Sequence, residues 1–303
     1  MKAIVFDEFG GPEVLHEAEI EKPEPGPGQV RVRVRAAGVN PLDGKIRAGY
    51  LEQVRPTTLP ATPGIELAGT VDALGDGVSG LTVGQEVAGW SDTGSYAEYA
   101  LATDVVALPA GLGSVTAVTL PVGGETAGRV LRELKLAEGE TVLIHGAAGA
   151  VGSFAVQLAV ALGATVIGTA SPANHDYVAS LGAIPTTYGE GLVERVRELA
   201  PQGIDAVFDV AGKGALPDSI TLRGGTDRII TIADMAAGDL GIPFSAGSPD
   251  GGRTEVLADL VDRAARGELK TAIADSYPLA EAAAAQRVSD AGHARGKLLL
   301  TVA

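Results

Sequence analysis

The sequence predicts an α/β chain in two parts, a doubly wound parallel sheet in the second half and a small barrel of short strands around it. Three observations carry this expectation. From about residue 120 onward, apolar runs and amphipathic stretches alternate as strand, loop and helix, the grammar of a parallel sheet covered on both faces. The first third instead strings short apolar runs between seven glycines from Gly64 to Gly89, which suits strands that turn sharply. A chain of 303 residues with 46% hydrophobic content is also long enough for two separate cores.

The elements follow in order. "KPEPGPGQ" is a Pro/Gly turn, and "VRVRVRAAGV" alternates Val30, Val32 and Val34 with arginines, the period-two pattern of a half-buried strand. Further on, "TVLIH", "ATVIGTA", "AIPTTY", "IDAVFDV", "DRIITIA" and "GIPFSAG" are predicted strands. The stretches "VGSFAVQLAVAL", "HDYVASLG" and "GLVERVREL" between them are predicted helices. After a helix at "RTEVLADLVDRAARG", the strand-like "KTAIADSYPL" and "GKLLLTV" are expected to rejoin the barrel. The barrel is therefore assigned to residues 1–116 and 266–303, and the sheet domain to residues 117–265.

Composition excludes several functions. With no cysteine there are no disulfides, no thiolate catalysis and no thiolate zinc site, and four scattered histidines leave little for a metal. A net charge of -15 repels phosphate backbones, which argues against nucleic acid or an anionic membrane as partner. No apolar run reaches the ~18 residues of a membrane span, and the start "MKAIVFDEFGG" lacks the layout of an export signal. A soluble, cytoplasmic protein with a small-molecule partner is expected.

The stretch "VLIHGAAGAVG" points to that small molecule. Gly146, Gly149 and Gly152 recur in steps of three between a strand-like run and an apolar helix. A strand-to-helix turn that receives a diphosphate needs bare backbone, because side chains would block its approach to the helix N-terminus. The spacing is a variant of Gly-x-Gly-x-x-Gly, the fingerprint of a Rossmann dinucleotide site. Gly146, Ala148, Gly149, Ala150 and Val151 are the backbone candidates for the diphosphate.

The second strand bears on which dinucleotide. It ends in Thr169, Ala170 and Ser171, without the acidic residue that would bond the ribose hydroxyls of NAD. Ser171 and Asn174 are placed to donate to a 2'-phosphate, with His175 and the phenol of Tyr188 as supplements. No Lys or Arg occurs between Leu136 and Glu194, so the usual cationic clamp is expected to be missing. NADPH (NADP) is the expected cofactor; the competing reading is that Ser171 and Asn174 only cap the next helix. Gly212, Ile232 and Ala233 fall at carboxyl ends of later strands, where ligands lie in such sheets.

Six stretches together resemble the zinc-independent quinone oxidoreductases of the medium-chain dehydrogenase/reductase superfamily, the zeta-crystallin-like family. They are "AAGVNPLDGKIRAGY" at 36–50, "PGIELAGTV" at 63–71, "GSYAEYALA" at 94–102, "VLIHGAAGAVGSFAVQLA" at 142–159, "AVFDVAG" at 206–212 and "GHARGKLLLTV" at 292–302. The resemblance runs almost end to end and implies a GroES-like catalytic domain beside the Rossmann domain. In zinc-dependent relatives the segments matching "GVN" and "GIE" carry a cysteine and a histidine ligand; this chain has Asn40 and Ile65 there. An amide and an aliphatic carbon do not make a zinc site, so no metal is expected and Glu66 is read as a structural carboxylate.

What the resemblance implies for chemistry is hydride transfer from NADPH to a quinone or an α,β-unsaturated carbonyl compound, with the acceptor in the cleft between the domains. It places Asn40 facing nicotinamide and acceptor, and Thr126 beside the reacting ring. Lys45 stands where some members have a tyrosine, as a donor to the developing oxyanion; otherwise it is a solvated lysine beside Asp43. Lys297 matches a C-terminal cofactor contact, or else a surface lysine. Residues 50–62 and 249–253 are expected to set acceptor size, and "GIPFSAG" to be the edge that joins a homodimer. Two alternatives stay open: an enoyl-thioester reductase, and a non-catalytic NADPH-binding or redox-sensing protein.

Overall fold

The structure, a computed structural model, describes residues 1–247, 252–292 and 294–303. Residues 249–251 of the expected acceptor loop, and His293 of the C-terminal motif, lie outside the described residues. The chain divides into two compact units, the first formed by Met1–Val122, Gly252–Glu268 and Ile273–Ala303, the second by Gly123–Gly251 and Leu269–Ala272.

The first unit is built on the strand Val30–Val39. It pairs antiparallel with Glu66–Leu74, with Tyr99–Ala102 and with the C-terminal strand Lys297–Thr301, inside a seven-stranded sheet. Its valines are buried while Arg33 and Arg35 face solvent, as the alternation predicts; Arg31 departs from it, buried with its Nε donating to Asp72 at 2.6 Å. Register shifts leave Asp72 of the strand Glu66–Leu74 unpaired between Arg31 and Val32, and Arg35 of this strand unpaired between Val34 and Ala36; an extra residue on one side of a ladder bends that strand and sharpens the local twist. The bend has a steric partner in Gly69, whose added Cβ would lie 2.1 Å from the Arg33 carbonyl oxygen. The sheet closes over a core that includes Phe6, Val32, Leu67, Tyr96 and Leu300.

The helix Arg253–Ala265 groups with this first unit, although the sequence reading put it in the sheet domain. Arg253 explains the difference. Its Nε donates to Asp104 at 2.7 Å and its guanidinium lies over the Trp90 ring at 4.6 Å.

The second unit carries a five-stranded sheet, parallel throughout, in the order Ile184–Thr186, Thr165–Thr169, Thr141–His145, Ala206–Asp209, Ile229–Thr231. In chain order that is 3-2-1-4-5, so strand order reverses beside Thr141–His145. The expected sixth strand is reduced to one bridge, Thr231 to Phe244. Pro243 accepts from Thr231 N–H at 3.2 Å but has no N–H of its own to extend the ladder.

Candidate active site

The turn from Thr141–His145 into the helix Ala150–Ala161 separates its glycines into different jobs. Gly146 is left-handed, at φ +77°. Gly152 allows close approach: a Cβ there would meet the Gly146 carbonyl oxygen at 2.1 Å. Gly149 is different, since a Cβ on it would find only the Gly146 oxygen, at 3.4 Å, so the protein itself does not require its bareness. Gly149 is also the N-cap, and no side chain caps the helix that starts at Ala150. The N–H groups of Ala150 and Val151 begin a twelve-residue helix beside an open backbone face, beyond Ala148, at the point where strand order reverses. This cradle fits a diphosphate.

Beneath the turn, His145 is buried with Nε2 3.0 Å from Ser219 Oγ. Burial holds its pKa below the usual value against the pull of Asp209 and Asp218, so it is a neutral structural side chain. The neighbouring Thr169 hydroxyl accepts from Gly146 N–H at 3.2 Å, tying the second strand to the loop.

At the end of that second strand, Asn174 does not cap its helix; its Nδ2 donates to Ser171 Oγ at 3.2 Å. His175 Nε2 lies 3.3 Å from the Ala170 carbonyl and 3.5 Å from Thr187 Oγ1. Tyr188 follows, 57% exposed. The sequence window missed a cation here by one residue. Arg195, on the helix Leu192–Leu199, reaches back to the carbonyls of Thr187 and Glu190, both at 2.8 Å, and its Nε is buried without a partner. Helical periodicity was the available signal, because Arg195 falls on the first turn facing the strand end.

Asp209, fully buried, organises the two loops that hold the remaining candidates. Its Oδ1 accepts from Ala211 and Gly212 N–H at 3.0 and 3.1 Å, and its Oδ2 from the Thr231 hydroxyl at 2.7 Å. That hydroxyl accepts in turn from Ala233 N–H at 3.1 Å, and Ile232 N–H bonds the Asp209 carbonyl. Gly212, at φ +59°, would place a Cβ 2.6 Å from the Ala233 backbone. The structure thus brings Gly212, Ile232 and Ala233 together. Thr126, half-buried, stands in the first turn of the helix Glu125–Glu133 of the same unit.

In the first unit, the antiparallel register pairs Leu298 with Val39, so the next step sets Lys297 beside Asn40. Lys297 is not a surface lysine: it is 2% exposed, its ammonium pairs with Glu66, and Nζ donates to Asn40 Oδ1 at 2.5 Å. Asn40 Nδ2 donates to Glu66 Oε1 at 2.9 Å, and Glu66 Oε2 accepts from Val122 N–H at 2.8 Å. Asp43, in the short helix Pro41–Arg47, accepts from Asn40 N–H at 2.8 Å and from the Tyr96 hydroxyl at 3.2 Å. Burial pushes its carboxyl up to about 7, against the Asn40 N–H and the Lys297 charge, which both pull it down. Asp43 therefore caps a turn rather than pairing with Lys45. Lys45 is half-buried and makes no ion pair among the described residues.

A Rossmann sheet with a bare, uncapped phosphate turn and a GroES-like unit with a buried polar cluster define a medium-chain dehydrogenase/reductase. The alcohol dehydrogenase GroES-like domain model matches residues 26–111, and the zinc-binding dehydrogenase model matches residues 181–300. The chain is 32% identical to the quinone oxidoreductase of Rattus norvegicus over 319 residues, covering 98% of this chain and 96% of the relative. It is 32% identical to the chloroplastic NADPH-dependent alkenal/one oxidoreductase of Arabidopsis thaliana over 317 residues, 99% of this chain and 79% of that one. The quinone oxidoreductase of Escherichia coli, solved in complex with NADPH, superposes with a TM-score of 0.88 at 27% identity, covering 99% and 100% of the two chains. The chain belongs to the quinone oxidoreductase family.

The metal implied by the name of the second model does not fit here. At the expected ligand positions stand an amide and an aliphatic side chain, and Glu66, the carboxylate that follows Ile65, is already paired with an ammonium. A cation in that place repels a dication. Among the described residues no group of three or more His, Cys, Asp or Glu is arranged to hold a metal.

Proposed function

We propose that this chain is an NADPH-dependent reductase that passes hydride to a quinone or an α,β-unsaturated carbonyl compound without a metal. The observation that carries the reading is the cradle at Gly149: bare on its outer face, uncapped, and at the switch point of the sheet, in a chain of this family. When bound, NADPH supplies a hydride to an electron-poor carbon.

The protein's own residues then have separate tasks. Backbone of Gly146, Ala148, Gly149, Ala150 and Val151 receives the diphosphate, where helix N–H groups favour negative charge. Ser171, Asn174 and Tyr188 hold the 2'-phosphate, and Arg195, which bonds the Thr187 carbonyl beside Tyr188, adds a positive charge. Gly212, Ile232 and Ala233 offer main-chain contacts to the nicotinamide end, with the Thr126 hydroxyl beside the reacting ring. Asn40 walls the acceptor side. Lys45 Nζ donates a proton to the acceptor oxygen as negative charge builds there. We also read the protein as a cytoplasmic homodimer joined along residues 241–247, where Phe244 is 40% exposed; gel filtration with light scattering tests this, and a monomeric mass rejects it.

The test of function is oxidation of NADPH, compared with NADH, over quinones, alkenals, cyclic enones and crotonyl thioesters. The expected result is turnover of quinones or enones with kcat/KM at least about tenfold higher for NADPH, roughly 1.4 kcal/mol from the 2'-phosphate contacts. Binding without consumption of any acceptor rejects it.

A further inference from the structure

The carboxamide of Asn40 has its two ends committed in opposite senses. Its oxygen accepts from Lys297 Nζ at 2.5 Å and its nitrogen donates to Glu66 Oε1 at 2.9 Å. Lys297 and Glu66 also contact each other, so the three side chains form a closed triangle in which a flipped amide would set an N–H against an ammonium and an oxygen against a carboxylate. Glu66 is anchored independently by Val122 N–H at 2.8 Å. The Asn40 backbone is anchored too, through its N–H to Asp43. Relative exposure is 2% for Lys297, 0% for Glu66 and 6% for Asn40, so water does not compete for these bonds.

Resting on the reading of Asn40 as part of the acceptor side, we propose that Lys297 is a positioning residue: with Glu66 it locks the Asn40 carboxamide in a single orientation, rather than contacting the cofactor. A buried ammonium thus does the orienting that a loose surface lysine cannot. The polar edge that Asn40 shows the acceptor is the same in every turnover, which favours reaction by removing the need to order that group during the chemical step.

The chain contains two asparagines, Asn40 and Asn174, so side-chain amide NMR of protein labelled at asparagine nitrogen yields two NH2 pairs, assigned with Asn174→Ala. In the wild type the Asn40 pair is expected to be shifted downfield and slow to exchange with solvent. In Lys297→Met it is expected to lose that shift and exchange at least tenfold faster. With saturating NADPH, kcat is expected to fall tenfold or more, while the Kd for NADPH changes less than twofold. Because an unpaired Glu66 threatens folding, the double variant Glu66→Gln/Lys297→Met removes both charges together and is expected to fold while keeping the amide signature of the single change. A tenfold rise in Kd for NADPH with kcat intact would make Lys297 a cofactor contact and overturn the proposal. An Asn40 signal unchanged by either variant would overturn it as well. Both NMR readouts need no substrate, so they stand apart from the fate of the proposed reaction.

Discussion

Asp43 is a carboxylic acid kept away from water, one oxygen bonded to Asn40 N–H and Tyr96 and the other without a partner. Burial raises its carboxyl from the ordinary 3.8 to about 7. The folded chain therefore binds a proton through the pH range in which the unfolded chain has released it, and the stability this confers is lost as pH rises through about 7. Asp43→Asn keeps an acceptor for both bonds and cannot ionise. Its thermal midpoint is expected to gain on the wild type as pH goes from 6 to 8, by a few degrees for each 1 kcal/mol; a constant gap across that range would show that Asp43 does not titrate there. Glu66→Gln alone has the opposite sense. It strands the Lys297 ammonium in the interior, and urea denaturation is expected to register a loss of about 3–5 kcal/mol.

Among the elements, the phosphate turn makes the sharpest distinction. Gly152→Ala forces a Cβ to 2.1 Å from a carbonyl oxygen that cannot move without displacing the loop, so both thermal stability and NADPH affinity are expected to drop. Gly149→Ala meets nothing closer than 3.4 Å; its melting temperature is expected to hold within about 1 °C while its NADPH Kd, read by fluorescence titration, rises at least tenfold. Such glycines were legible in the sequence because a local turn writes itself into neighbouring positions. The valine–arginine alternation of Val30–Val39 and the repeated β and α stretches were legible for the same reason. Contacts across the chain were not. Lys297 meets Asn40 from 257 positions away and Arg253 meets Asp104 from 149, and neither side chain differs locally from a solvated one. The missing sixth strand is a third kind of case, where Pro243 carried the warning and the apolar run around it outweighed it.

For the molecule as a whole, the parallel-sheet unit holds the residues proposed for the diphosphate and the 2'-phosphate of NADPH, so the cofactor should stabilise that unit first. At a concentration a hundred times Kd, NADPH is expected to add about 2.7 kcal/mol, seen in calorimetry as a shift of one transition; no shift would mean that the turn is empty in solution. The lysine locked beneath Asn40 has a different consequence. Enones and quinones are electrophiles that form adducts with thiols and accessible amines, and this chain has no thiol at all. The Lys297 nitrogen is wrapped by Glu66 and Asn40 and sealed from solvent, so a Michael acceptor has no line of approach to it. After long exposure to an alkenal, peptide mass spectrometry should find modified surface lysines and an untouched Lys297: an enzyme armoured, at the place that orients its chemistry, against the reactivity of what it consumes.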